Sequence, residues 1–128
     1  MRNYKKKYQA ITIFTVLIFL SFSILPVTQD QQLIVGEWIS IDDSNWKLKF
    51  NNQGKCYDYY EGTLETTYYY TVTEKTASNG VVFSYLKLVN INDSSDVYNY
   101  EINALNRNNL ALNYLGDLNE KLMLFEKQ

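Results

Sequence analysis

Histidine is absent from the 128-residue chain, and cysteine occurs once, at Cys56. The first absence removes the usual general base and the commonest protein metal ligand. The second excludes zinc sites built from cysteine and histidine, and a single thiol cannot close an internal disulfide. The fold must therefore stand on its core, where a lone cysteine serves as a small apolar residue. No glycine-rich loop sits between a strand and a helix, so a phosphate-binding loop is missing too. Asp42-Asp43 and Asn92-Asp93-Ser94-Ser95-Asp96 carry oxygen ligands of the kind calcium takes. Neither has calcium-loop spacing, and both read as solvated turns. Carboxylates distant in sequence can converge in a hydrolase, but nothing here pairs two of them. No metal, cofactor or catalytic residue is expected, and the chain reads as noncatalytic.

Basic residues are also scarce once the N-terminus is set apart. Arg2, Lys5, Lys6 and Lys7 precede an apolar run from Ile11 to Leu20 that continues toward Pro26. A basic region before an apolar one is the pattern of a secretory signal. Ser21-Phe22-Ser23 offers small residues for cleavage, and Pro26-Val27-Thr28 is a poorer match. The run is shorter than the roughly 18 residues of a membrane span, so residues 1–28 are read as a signal peptide or an uncleaved anchor helix. Either alternative places residues 29–128 outside the cytoplasm, periplasmic, at the cell envelope or secreted. No cysteine follows the run to carry a lipid. This segment holds four of the 12 basic residues and none of the 14 acidic ones, leaving eight against 14, a net charge of −6. A nucleic-acid or anionic-membrane surface needs clustered Lys and Arg, so neither partner is expected. Membrane contact is expected only through the N-terminal segment.

After that segment no stretch sustains a 3.6-residue period, although Asp30-Gln31-Gln32 can form one helical turn. The pattern is instead about eight strands with tight turns. Leu33 to about Ile41 is the first, stopped by Asp42-Asp43-Ser44-Asn45. In Trp46-Lys47-Leu48-Lys49-Phe50 the apolar residues alternate with lysine, so Trp46, Leu48 and Phe50 face inward. Asn51-Asn52-Gln53-Gly54 is a hairpin loop with glycine at the left-handed position. Lys55 to Glu61 follows, with Tyr57 and Tyr59 assigned inward although Cys56 competes for that face. Gly62 starts the turn into Glu65–Glu74, where Tyr68, Tyr70 and Val72 share a face. Val81–Val89 alternates poorly, which means two covered faces or a bulged register. Asn92-Asp93-Ser94-Ser95 closes it. Val97–Leu105 places Tyr98, Tyr100 and Ile102 in phase, Asn109–Leu115 repeats the alternation, and Lys121–Glu126 is last, with apolar residues on both faces.

Short strands in this rhythm pair antiparallel with their neighbours, and closure into a barrel removes exposed edges. A two-sheet sandwich is the alternative. Gly36 and Trp38, two residues apart on the first strand, lie on one face. The glycine leaves that face empty beside the indole, which then packs at one end of the barrel.

The stretch from Leu33 to Trp38, then Trp46-Lys47-Leu48-Lys49-Phe50 with Gly54 after it, resembles the opening of bacterial secreted lipocalin-like domains. Asn109-Leu110-Ala111-Leu112 and Leu122-Met123-Leu124-Phe125-Glu126-Lys127 are similar to their last two strands. The resemblance spans Leu33 to Lys127. It implies an all-β, antiparallel up-and-down meander closed as a small eight-stranded barrel, exported or tethered at the envelope. The domain is much shorter than a true lipocalin and lacks the later signatures with their arginine.

A barrel of eight strands either fills with side chains or holds one small ligand. Inward candidates are the two tryptophans, Phe50 and seven tyrosines, Tyr57, Tyr59, Tyr68, Tyr70, Tyr98, Tyr100 and Tyr114. The expected function is binding of a small apolar or aromatic ligand, with Trp46, Phe50, Tyr59, Tyr70 and Tyr100 as the contact residues. The alternative is an interaction or inhibitor module with a filled core that meets a protein partner through its surface.

Overall fold

The computed structural model describes residues 28–116 and 121–128. The expected signal or anchor segment lies outside these residues, except for Thr28. A one-turn helix, α1 (Gln29–Leu33), precedes eight strands: β1 (Gly36–Ser40), β2 (Trp46–Phe50), β3 (Lys55–Tyr60), β4 (Thr63–Thr76), β5 (Val82–Asn90), β6 (Asp93–Leu105), β7 (Asn109–Tyr114) and β8 (Leu122–Lys127). Each strand pairs antiparallel with the next, and β8 returns to β1 through Trp38↔Lys127, Ile39↔Glu126 and Ser40↔Phe125. The meander is a closed eight-stranded barrel. The sandwich alternative falls, because the β1–β8 ladder leaves neither strand an open edge.

The turns show why the strands stay next to each other. Between β3 and β4 only Glu61 and Gly62 intervene, at φ 50° and φ 77°. Two successive positive φ values make a type I′ turn, whose twist matches that of the flanking strands. Gly54 takes φ 80° in the β2–β3 loop, the left-handed conformation expected there, and the Asn51 carboxamide accepts from the amides of Gln53 and Lys55. The acidic stretches act locally in the same way. Asp43 accepts from the amide of Asn45, and Asp93 from the amide and hydroxyl of Ser95.

Two strands run longer than the sequence pattern implies. β4 extends at both ends, to Thr63 and Thr76. β6 begins at Asp93, inside the stretch read as a turn, because the register slips between Val89 and Asn90 and pairs Asn90 with Asp93. β5 itself pairs with β4 without a break; its poor alternation comes from apolar residues on both faces, Leu86 and Leu88 in the core and Phe83, Tyr85 and Val89 half-buried on the other side.

The inward assignment of Tyr57 and Tyr59 is wrong. Phe50 pairs with Cys56 and Leu48 with Asp58, so Cys56 and Asp58 share the inner face and both tyrosines point out. Cys56 is fully buried, while the Tyr59 ring lies under the Lys47 ammonium at 5.3 Å. Register with β2 decides the matter, since slipping a strand by one residue exchanges its faces.

The end of the barrel beneath α1 is plugged. Thr28 and Gln31 form a reciprocal capping box at the start of α1, and Gln31 also donates to the Val72 carbonyl at 3.2 Å. Ser84 donates to the Asp30 carboxylate at 2.5 Å, tying the helix to β5. Ile34, Trp38, Phe50, Leu110 and Phe125 are buried in the interior. The Trp38 indole N–H donates to the Ile34 carbonyl at 2.8 Å. Gly36 is needed here for a reason different from the expected one. At φ 138° a Cβ on it would stand 2.5 Å from the Lys127 Cε. The lysine stem occupies that space, its ammonium 5.0 Å from the Trp38 ring centre and 3.2 Å from the Leu33 carbonyl. Gly36 thus makes room for the residue that covers the indole.

Candidate functional site

Among the described residues no helix plugs the far end of the barrel, and the inward side chains there are aromatic and polar. Trp46 comes from the start of β2, Asp58 from β3, Tyr68 from β4, Tyr98 and Tyr100 from β6, and Met123 from β8. These side chains, above a floor of Leu48, Leu88 and Leu112, line a partly open cavity of about 210 Å³. A second hollow of about 220 Å³ adjoins it, walled by the same Tyr98, Tyr100 and Met123 and continued by Tyr114 and Lys121. Larger hollows of about 430 and 490 Å³ are open grooves, one beside α1 near Asn52 and Thr71, the other across Thr73, Lys75 and Lys87. The interior cavity is smaller, but its polar and aromatic groups converge.

Ring contacts order this mouth. Tyr68 meets Tyr98 edge-on at 5.9 Å, and Tyr114 joins Tyr98 at 6.1 Å and Tyr100 at 5.5 Å. Trp46 packs edge-on against Phe125 at 5.0 Å, which fixes its ring at the boundary between core and cavity. Its indole N–H donates to Asp58 Oδ1 at 2.8 Å. A carboxylate facing the inside of a barrel is costly to desolvate unless it has partners. Asp58 has this one donor among the described residues and belongs to none of their ion pairs, which join Glu37 to Lys47 and Lys49, and Lys121 to Asp42.

Desolvation by burial raises the Asp58 pKa, the Trp46 hydrogen bond opposes the rise, and the nearby charge of Glu65 adds to it. Burial likewise pushes the Tyr100 phenol upward, with the neighbouring Tyr68, Tyr114 and Tyr98 contributing. The Tyr98 phenol is raised chiefly by the charge of Asp96, whose carboxylate also accepts from the Asn90 carboxamide at 3.1 Å. The phenols therefore stay neutral as donors and ring faces, and the mouth is acidic. Among the described residues no group of three or more Cys, Asp or Glu side chains is arranged to hold a metal.

The expected contact residues divide between two regions and the outer surface. Trp46 and Tyr100 stand together in the cavity wall. Phe50 is fully buried in the plugged half, edge-on to Tyr70 at 5.1 Å. The Tyr70 hydroxyl donates to the Asn51 carbonyl at 2.6 Å, and its ring borders the groove beside α1. Tyr59 is on the outer face. Asp58 escaped the sequence reading. The signal that could have revealed it is its phase with Cys56, once that small apolar residue is taken as the inward one.

No family model, no curated protein and no solved structure matches this chain.

Proposed function

We propose that this chain is a noncatalytic, exported, lipocalin-like barrel that binds one small, partly apolar or aromatic molecule at its open mouth. The observation that carries the reading is the asymmetry of the interior. One half is sealed by α1, Ile34 and Trp38, while the other keeps an aromatic-walled cavity of about 210 Å³. A filled barrel would have no reason to leave ring faces and phenols around a hollow. The space equals that of roughly seven waters, which limits the ligand to a small molecule or to one part of a larger one. Trp46 and Tyr100 are the proposed contacts retained from the sequence, joined by Tyr68 and Tyr98.

The test is a titration of the folded protein with small aromatic probes, followed by tryptophan fluorescence. The chain has two tryptophans, and Trp38 is sealed at the other end, so a change at the mouth is reported by Trp46. Saturable quenching that disappears in a folded Tyr100→Ala variant, which keeps the Trp46 reporter, supports the reading. Absence of binding by every probe refutes it.

A second reading, a protein-interaction module, draws on the exposed apolar residues Ile41, Leu122 and Leu124 beside the β1–β8 seam. Crosslinking in the native host with Leu124→Arg as the control variant tests that surface separately.

A further inference from the structure

We infer that the molecule held at the mouth is a small organic cation, a primary or secondary ammonium on an apolar or aromatic body, with Asp58 as its counter-charge. This inference rests on the mouth being a ligand site and adds the chemical class of the ligand.

Four observations lead to it. Asp58 lines the cavity among rings and aliphatic side chains, and it accepts one hydrogen bond, from the Trp46 indole, among the described residues. A carboxylate has further acceptor positions, and in a half-buried site each gains from a charged donor. No lysine or arginine among the described residues forms an ion pair with it. Lys121, the cation near the rim, is turned toward Asp42 at 3.9 Å. Secondly, the remaining walls suit a cation. The faces of tryptophan and tyrosine attract ammonium groups through their quadrupoles, and Trp46, Tyr68, Tyr98 and Tyr100 border one space. The third observation is the local field: the charge of Glu65 reaches Asp58, and that of Asp96 reaches Tyr68 and Tyr98. Finally, residues 29–128 have a net charge of −6, which favours cation approach. A neutral aromatic ligand would use the rings and the apolar floor but would leave the carboxylate uncompensated. An anion would meet Asp58 directly.

A matched pair of probes tests the inference. The full chain is expressed with its own N-terminal segment in an exporting bacterium, purified, and titrated calorimetrically with phenethylamine and with 2-phenylethanol. The two share the ring and the two-carbon arm and differ in the ammonium. We expect phenethylamine to bind at least about tenfold more tightly, a factor equal to roughly 1.4 kcal/mol. Asp58→Asn, which keeps an acceptor for Trp46, should remove the preference, so that the two probes bind the variant with equal affinity. Equal affinities in the unaltered protein, or a preference that persists in folded Asp58→Asn, overturn the cation inference while the small-ligand reading stands. Failure of both probes to bind folded protein overturns the cation inference; failure of every aromatic probe overturns the small-ligand reading as well. Should Asp58→Asn not fold, the nitrogen-15 resonance of the Trp46 indole gives a second readout. Phenethylamine must shift it more than 2-phenylethanol does at equal saturation, and identical shifts overturn the inference.

Discussion

Truncating Trp38 to alanine tests how the plugged end is held. The side chain is fully buried, donates its N–H to the Ile34 carbonyl at 2.8 Å and lies 5.0 Å beneath the Lys127 ammonium. A large aromatic buries roughly 150–250 Å². At about 25 cal/mol per Å², losing most of that area costs about 3–5 kcal/mol, within the range for deleting buried aromatics. The Ile34 carbonyl also loses its donor, a further penalty of roughly 1–3 kcal/mol if water does not replace it. Domains have total stabilities of roughly 5–15 kcal/mol, so Trp38→Ala should use up a large share of the margin. Trp38→Phe separates the contributions, because it retains a ring while removing the N–H. It should lose about 1–3 kcal/mol, less than the alanine variant. Urea unfolding followed by far-UV circular dichroism measures both. If Trp38→Ala costs less than about 1 kcal/mol, or if both variants lose the same amount, burial of this indole is not what seals the end.

Three further outcomes are expected. Gly36→Ala should destabilise by roughly 1–3 kcal/mol, because φ 138° is strained for alanine and the new Cβ meets Lys127; in Gly36→Ala/Lys127→Ala the clash disappears and part of the loss returns, which a double-mutant cycle in urea detects. Burial, and then the charge of Asp58, push the Cys56 thiol well above its ordinary pKa, so aromatic disulfide reagents should leave it unmodified in the native state and label it at the rate of global unfolding; fast labelling of folded protein contradicts the buried inward placement. The raised Asp58 pKa means that the native state binds this proton more tightly than the unfolded chain, so its contribution to stability falls as pH rises from the ordinary value of 3.8 through the higher folded value. Denaturation of the natural protein and of Asp58→Asn across pH 3 to 8 should therefore show the variant gaining relative stability as pH rises in that window, and a pH-independent difference would refute the raised pKa.

Much of the barrel could be read from the chain alone. The alternation Trp46-Lys47-Leu48-Lys49-Phe50 sets one face of β2, and Tyr98, Tyr100 and Ile102 do the same for β6, because successive side chains of a strand point to opposite faces. The loops at Asn51–Gly54 and Glu61-Gly62 need positive φ, which glycine supplies without strain, so the antiparallel meander was visible as well. The placing of Trp38 at a sealed end followed from its position on the first strand. Three matters were decided only by tertiary structure. β3 offers tyrosines on one face and Cys56 with Asp58 on the other, and either choice satisfies local alternation. The pairing of Phe50 with Cys56 made the selection, leaving large amphipathic rings outside, where Tyr59 lies beneath Lys47. The role of Gly36 depended on Lys127, 91 positions later in sequence, reaching across the closing seam. Separation of Phe50 and Tyr70 from Trp46 and Tyr100 required knowing which strand ends meet at α1. Periodicity assigns a residue to the inside or outside of a barrel, but its depth along the axis, and whether inward side chains fill the volume around it, are set by register and closure of all eight strands together.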